Sequence, residues 1–352
     1  MPAGFVVNLK DIAREAGVSV STVSRVMKGK GEIAPETRNR IMAISKRMGY
    51  HENRFSKAIR TGKTGLVGVI MDYMDPFFGQ ITKSIEQILR QNDFLPVILS
   101  CNQEEAQGLF HRLVEQRVDG MILVPPCDTA DNEFFHELSQ CGIPIVTMDR
   151  EIPADVSFVG TDDYAGGWMN AEYFYHLGHR KLGYYSGPPQ ASSAALRKKG
   201  FQDFCSAHAD CQYIQFGTEW WYADPDECIR DFLLRHPEVT CIGAFYDSYA
   251  LQLGRLAKKL GRRIPEDLAI SGFGNLDCLS FQEPFLTTFD QKPQELGRAA
   301  VESLLRHMND KTLVPEKIRI KPELVIRQST EKKQAKHSAN IKHSTRQTGR
   351  KE

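Results

Sequence analysis

Hydrophobic residues along this chain follow two rhythms, and the change falls near residue 65. In residues 9–28, LKDIAREAGVSVSTVSRVMK, the apolar residues Ile12, Ala13 and Ala16 form a stripe at helical spacing. Gly17 ends that helix, because glycine turns left-handed at little cost. Ser19 is placed to cap a second helix, in which Val23 and Val26 sit three apart and face inward. Val20, Ser21 and Arg25 fall at roughly 0, 100 and 140 degrees around its axis, so they share one outward face. A third helix begins at Ala34-Pro35-Glu36, with the proline suited to a first turn. Ile41, Ile44 and Met48 give its stripe and Gly49 stops it. The segment 53–60, NRFSKAIR, predicts a short helix of about two turns, marginal alone in water. Residues 61–65, TGKTG, read as a flexible connector.

From Leu66 the pattern alternates strands and helices. LVGVIM predicts a buried strand, 77–92 an amphipathic helix with Ile81, Ile85, Ile88 and Leu89 inward, and LPVILS the next strand. A helix through Leu109, Leu113 and Val114 follows, then strands GMILVPP and IPIVTMD. The rhythm resumes with a helix after Tyr164, strand KLGYYSG, helix 197–207, strand CIGAF, helix 248–260 and strand LAISGF. Repeated strand–helix units predict parallel sheets with helices on both faces, and there are enough units for two. Ligands in such folds sit at the carboxyl ends of strands, here where two lobes would face each other.

Charge sharpens the division. The chain carries 45 Lys+Arg against 44 Asp+Glu, but residues 1–61 are net +7, the 22 residues from Glu331 are net +5 and the remainder is net −11. A basic head on an acidic body suits a polyanion met by the head alone. With 352 residues, 41% of them hydrophobic, the chain is long enough for more than one domain. No apolar run approaches the ~20 residues that span a membrane, and the first residues lack a signal-peptide core, so a cytoplasmic location without membrane partners is expected. Eight cysteines are scattered from Cys101 to Cys278 with no Cys-x-x-Cys pair. His176 and His179 alone do not make a metal site, so neither metal nor other cofactor is expected. No Gly-x-Gly-x-x-Gly follows a strand, and neither a phosphate-binding Gly-Lys-Ser/Thr loop nor Gly-x-Ser-x-Gly occurs, which argues against an enzyme with catalytic residues.

A small helix pair that buries valines and presents short polar groups with an arginine is what a major-groove reader needs. An Arg fork pairs with guanine, and Val20 can touch a thymine methyl.

The residues carry a family resemblance. DIAREAGVSVSTVSRVMKGKGEIAPETRNRI resembles, nearly position by position, the headpiece of the lactose repressor/galactose repressor family of bacterial transcription regulators. NRFSKAIRTGKTGLVGVI resembles its hinge helix and first core strand. DPFF (75–78), VDGMIL (118–123), PIVTMDR (144–150), LGHRKLGYYSG (177–187), LRKKGF (196–201), FYD (245–247) and LTTFDQ (286–291) match its body, so the resemblance spans about 8–330. It implies an α/β two-lobed core like a periplasmic binding protein, made of two doubly wound parallel sheets, behind an all-α helix-turn-helix headpiece. The implied boundaries are a headpiece at 1–52, hinge helix and linker at 53–63, and a core at 64–330. Within the core, one lobe would take about 64–162 plus 293–322 and the other 163–290 plus 323–330. The tail 331–352, polar, basic and without Leu heptads, is expected to be disordered, and the protein a homodimer.

The resemblance also implies residue roles. Val20, Ser21 and Arg25 fall on sequence-reading positions, Thr22, Ser24 and Asn53 on phosphate contacts or caps, and Ile59 where an apolar side chain wedges into the minor groove, with Arg60 beside it. Phe77, Phe78, Asp149, Arg197, Tyr246, Asp247, Asn275 and Gln291 fall on or beside effector-binding positions, and Trp220 or Trp221 could form an aromatic wall. Two departures stand out: Gly272-Phe273-Gly274-Asn275 lacks the family's carboxylate at 274, and Tyr246-Asp247 replaces Asn-Asp. With Arg197, Lys198 and Lys199 nearby, the lost carboxylate predicts tolerance of anions, hence a sugar acid or sugar phosphate as effector. The expected function is a dimeric repressor of a carbohydrate-utilisation operon on a palindromic operator, its affinity set by an effector between the lobes. A ligand-responsive activator or dual regulator of the same fold is the alternative.

Overall fold

The computed structural model describes residues 7–27, 29, 31–50, 58, 62–71, 75–100, 105–125, 132–189, 191–217, 225–276 and 285–331. Asn53, Ile59, Arg60, Trp220, Trp221 and the tail beyond Glu331 lie outside them. The chain divides into two compact units, Met1–Gly65 and Leu66–Glu352.

The first unit is three helices, α1 (Leu9–Ala16), α2 (Val20–Met27) and α3 (Pro35–Arg47). Asn8 and Asp11 form a reciprocal cap: Asn8 Oδ1 accepts from the Lys10 and Asp11 amides, and Asp11 Oδ2 accepts from the Asn8 amide. Gly17, at φ 61°, closes α1. Ile12, Ala13, Ala16, Val23, Val26, Ile41 and Ile44 make one small core from all three helices, and Arg40 ties α3 to the end of α1 through the Ala16 carbonyl at 3.0 Å.

The second unit holds two parallel sheets. In the first, β1 (Leu66–Ile70), β2 (Leu95–Leu99), β3 (Gly120–Leu123), β4 (Ile145–Met148), β5 (Ser157–Thr161) and β11 (Lys317–Ile320) lie in the order β11-β5-β4-β3-β1-β2. Its helices are α4 (Pro76–Gln91), α5 (Ala106–Glu115), α6 (Asn132–Gln140) and α11 (Pro293–Asn309). Side chains alternate across the sheet. Val67 and Val69 join Ile81, Ile85, Leu89, Leu296 and Leu304 of α4 and α11, while Ile70 joins Phe110, Leu113, Phe135 and Leu138 of α5 and α6.

The second sheet is β7-β6-β8-β9, from β6 (Lys181–Ser186), β7 (Gln212–Gly217), β8 (Cys241–Ala244) and β9 (Ala269–Ser271). It lies between α7 (Asp163–His176) with α8 (Ser192–Ser206) and α9 (Pro225–Arg235) with α10 (Asp247–Lys259). A two-stranded antiparallel pair, β10 (Thr288–Asp290) with β12 (Glu323–Val325), joins its edge through bridges Ser271–Thr287 and Gly274–Asp290. Helices α7 and α8 pack backbone to backbone: a Cβ at Gly167 would lie 1.9 Å from the Arg197 carbonyl oxygen, and one at Gly200 2.0 Å from that of Tyr164. That approach fixes where Arg197 stands.

Helix α8 begins at Ser192, five residues before the expected start at 197. The hydrophobic pattern also misses β7, whose half-exposed QYIQFG sits on a sheet edge with no second partner strand. Among the described residues no helix is long and apolar enough to cross a membrane.

Candidate DNA-reading face and effector cleft

In the first unit, the Ser19 hydroxyl accepts from the Thr22 amide at 3.1 Å and lies 2.7 Å from the Ser21 and 2.8 Å from the Thr22 hydroxyls. This cluster starts α2 and turns short polar groups outward. Val20 is 40% exposed although it is aliphatic and sits on a helix that buries Val23 and Val26. Ser21 and Arg25 are exposed, and Thr22 and Ser24 half-buried. Arg25 makes no hydrogen bond or ion pair among the described residues. The outcome is a rigid helix face carrying a methyl surface, hydroxyls and an uncommitted fork of donors, the set that reads base edges and phosphates.

In the second unit the polar centre is Arg197 on α8, 5% exposed. Its Nε donates to Asp163 Oδ1 at 2.6 Å, Nη1 to the Phe245 carbonyl at 2.8 Å and Nη2 to Gln291 Oε1 at 3.0 Å. The guanidinium lies 3.9 Å over the Phe273 ring. Thr161, at the end of β5 in the first sheet, donates to the same Gln291 oxygen at 3.0 Å. Gln291 thus accepts from a residue of each lobe. Burial pushes the Asp163 carboxyl up to about 7 against the opposing pull of Arg197, and the Asp149 charge adds to the rise. Asp149 also acts on Arg197, which places it beside this network. It stands at the end of β4 with φ 63°, a left-handed conformation that aspartate tolerates.

Other expected effector residues take different positions. Phe77 is a core residue, 4% exposed, in the cluster of Met71 and Ile81; Phe78 is half-buried and packs against the same cluster. Asp247 is fully buried at the start of α10: Oδ1 accepts from the Thr288 hydroxyl at 2.5 Å and Oδ2 from the Leu276 amide at 3.1 Å. These two bonds brace the crossover. Asn275 is engaged at both ends, donating to Asp290 at 3.1 Å and accepting from Arg327 at 2.7 Å. Lys199 points outward to Asp203 at 2.5 Å, so it adds no charge to the cleft.

Three polar residues of the site escaped the sequence reading. Thr161 and Asp163 flank Asp162, which caps α7 through the Ala165 amide. Asp75 caps α4, accepting from the Phe77 amide at 2.8 Å, and also accepts from the Tyr246 hydroxyl at 3.0 and 3.1 Å. The Asp-Pro-Phe-Phe run carried a signal for that cap, an aspartate before an N1 proline.

A helix-turn-helix unit followed by a two-sheet α/β core defines a DNA-binding transcription regulator with a periplasmic-binding-protein-like body. Residues 8–53 match the family described as bacterial regulatory proteins, lacI family, and residues 171–330 match the periplasmic binding protein-like domain. The chain is 30% identical to the HTH-type transcriptional regulator DegA of Bacillus subtilis over 91% of its own length and 97% of that protein. It is 26% identical to the ribose operon repressor of Halalkalibacterium halodurans, covering 92% and 96%. Its fold matches the lac repressor dimer bound to operator and an anti-inducer, at 24% identity with a TM-score of 0.82, covering 92% and 99%. The chain belongs to the LacI family of bacterial regulatory proteins.

Proposed function

We propose that the chain represses transcription by binding a near-palindromic operator as a homodimer, under control of a small, neutral, hydroxyl-rich effector bound between the two lobes. The observation that carries the ligand control is Gln291, whose single side-chain oxygen accepts from Thr161 of the first lobe and Arg197 of the second. A ligand that competes for these groups would reset one lobe against the other, and shifts the equilibrium by as much as it prefers one arrangement. Val20, Ser21 and Arg25 would read bases, with Thr22 and Ser24 on phosphates. Asn53, Ile59 and Arg60 would serve at the hinge and Trp220 at the cleft wall.

The neutral effector replaces the sugar acid or sugar phosphate that the sequence favours. That expectation took Arg197, Lys198 and Lys199 as unopposed cations. Arg197 is matched by Asp163 at 2.6 Å, Lys199 is spent at the surface, Asp149 is itself paired with Arg150 at 3.7 Å, and Asp75 adds negative charge. Half-buried Lys198 is left as the cation of the three without a counter-ion among the described residues. An anion would enter a site whose central cation, Arg197, already has a buried carboxyl group hydrogen-bonded to it. Two of the five guanidinium donors remain for ligand hydroxyls, and hydroxyls also suit the carboxylates. The ribose operon repressor similarity supports a sugar effector.

The test selects an operator from random duplexes, then measures binding by fluorescence anisotropy with neutral sugars, sugar acids, sugar phosphates and purines. A thermal-shift screen runs beside it, in which a ligand at a hundred times its dissociation constant adds about 2.7 kcal/mol. A response to neutral sugars alone is expected. A response confined to anionic sugars would overturn the neutral reading, and recovery of no preferred duplex would overturn the DNA reading.

A further inference from the structure

Tyr246 sits at the junction of β8 and α10 in the second lobe, and its ring packs against both lobes' cores. It joins the first-lobe cluster of Val69, Phe77 and Ile81 and the second-lobe cluster of Phe201 and Phe245. Its hydroxyl crosses to the first lobe and donates to both oxygens of Asp75, at 3.0 and 3.1 Å. Asp75 is itself fixed, since it caps α4 through the Phe77 and Phe78 amides. Across the ring stands Gly274, at φ 137°, where an added Cβ would lie 3.2 Å from the Tyr246 ring and 3.3 Å from Asp247. Tyrosine at 246 and glycine at 274 are therefore one steric unit, in which the ring takes space that a side chain at 274 would claim. Burial and the Asp75 charge keep the hydroxyl protonated and so a standing donor.

We propose that Tyr246 and Asp75 form a clasp within the cleft, in which the chain's own hydroxyl bridges the two lobes where a ligand hydroxyl would otherwise do so. The ligand-free protein is held in the clasped arrangement. A ligand that enters must displace the Tyr246 hydroxyl from Asp75 or bind beside it, so this pair sets which ligands fit. The clasp rests on the lobed fold and the one hydrogen bond that the Tyr246 hydroxyl shares between the two Asp75 oxygens, and stands whatever the effector proves to be.

The test reads the distance between lobes in the full-length, ligand-free protein. Dyes are attached through azide-bearing residues at exposed Glu115 of α5 and Lys259 of α10, which leaves the native cysteines untouched. Single-molecule energy transfer then gives the ratio of open to clasped molecules. Tyr246→Phe keeps the ring and removes only the hydroxyl. Asp75→Ser keeps a good helix cap with a side chain too short to reach Tyr246. Each is expected to raise the open-to-clasped ratio about tenfold, as for loss of a hydrogen bond to a charged group. The double variant is expected to match either single one, because both remove the same bond. A distance distribution in Tyr246→Phe identical to that of the parent chain would overturn the clasp. Additive effects in the double variant would also overturn it, by showing two separate contacts. Should Asp75→Ser fail to fold, Tyr246→Phe alone decides.

Discussion

Replacing Arg197 by methionine isolates the buried ion pair at the centre of the core, because methionine keeps the stem and removes the guanidinium. Three hydrogen bonds disappear, to Asp163, the Phe245 carbonyl and Gln291. The Asp163 carboxyl, 3% exposed, then keeps its burial and loses the charge opposing it, so its ionisation moves above the value of about 7 in the parent chain. The sign follows from the two states. A buried acid with a raised value binds its proton more tightly folded than unfolded, so stability falls as pH climbs through that interval. In the parent chain this loss ends just above pH 7; in Arg197→Met it continues, at about 1.4 kcal/mol per unit. At pH 8.5 that contributes about 2 kcal/mol, and the stranded carbonyl and amide acceptors add about 1–3 kcal/mol. The total is near the 3–5 kcal/mol expected for breaking a buried pair. Urea unfolding followed by circular dichroism from pH 6 to 9 measures it. The expected gap between variant and parent widens with pH and shrinks toward pH 6. Adding Asp163→Asn should recover at least half of it, because no buried charge is left. A gap constant across the range would refute the coupling, and a double variant as weak as the single one would trace the loss to poor packing of methionine.

Three further outcomes follow from the same geometry. Arg25→Ala should weaken operator binding by about 1–3 kcal/mol and relax the preference at one position per half-site in a competition assay; an equal loss on every duplex would make Arg25 a phosphate contact. Gly167→Ala should lower stability by about 3 kcal/mol or prevent folding, since the new methyl meets the Arg197 backbone oxygen rather than a movable side chain; urea midpoints decide it. Burial raises the Asp247 carboxyl to about 6 against the pull of its Thr288 and Leu276 hydrogen bonds. By the same sign it should lower stability by up to about 3 kcal/mol as pH rises from about 4 to 6. Asp247→Asn should reduce the slope between pH 4 and 6 by that share, leaving the part due to Asp163, and a slope unchanged in the variant would assign it to other groups.

The headpiece was legible because its determinants are local. One glycine, one serine cap and a pair of valines three apart specify a helix pair whose outward face follows from the helical period alone. The alternating core was legible for the same reason at several strands buried on both sides, as in β1, β3 and β8, but not at β5, which is buried along its whole length and went unread. It was illegible at the edge strand β7, whose residues are half-exposed. The cleft lay further from reach, because its groups come together from positions 161, 163, 197 and 291 only when two sheets are in place.

Two departures visible in the sequence, tyrosine at 246 and glycine at 274, show what such distance hides. Taken singly, the missing carboxylate at 274 reads as a change of charge and points to an anionic ligand. In three dimensions a side chain at 274 would crowd the Tyr246 ring at 3.2 Å, so the glycine makes room for the tyrosine, and the tyrosine brings its own polar contact by reaching Asp75. The exchange removes one carboxylate from the site and engages another, Asp75, through an internal hydroxyl. What the pair changes here is therefore steric fit and internal hydrogen bonding as well as charge. On the clasp proposed above, a ligand would be selected by whether it can take that donor's place.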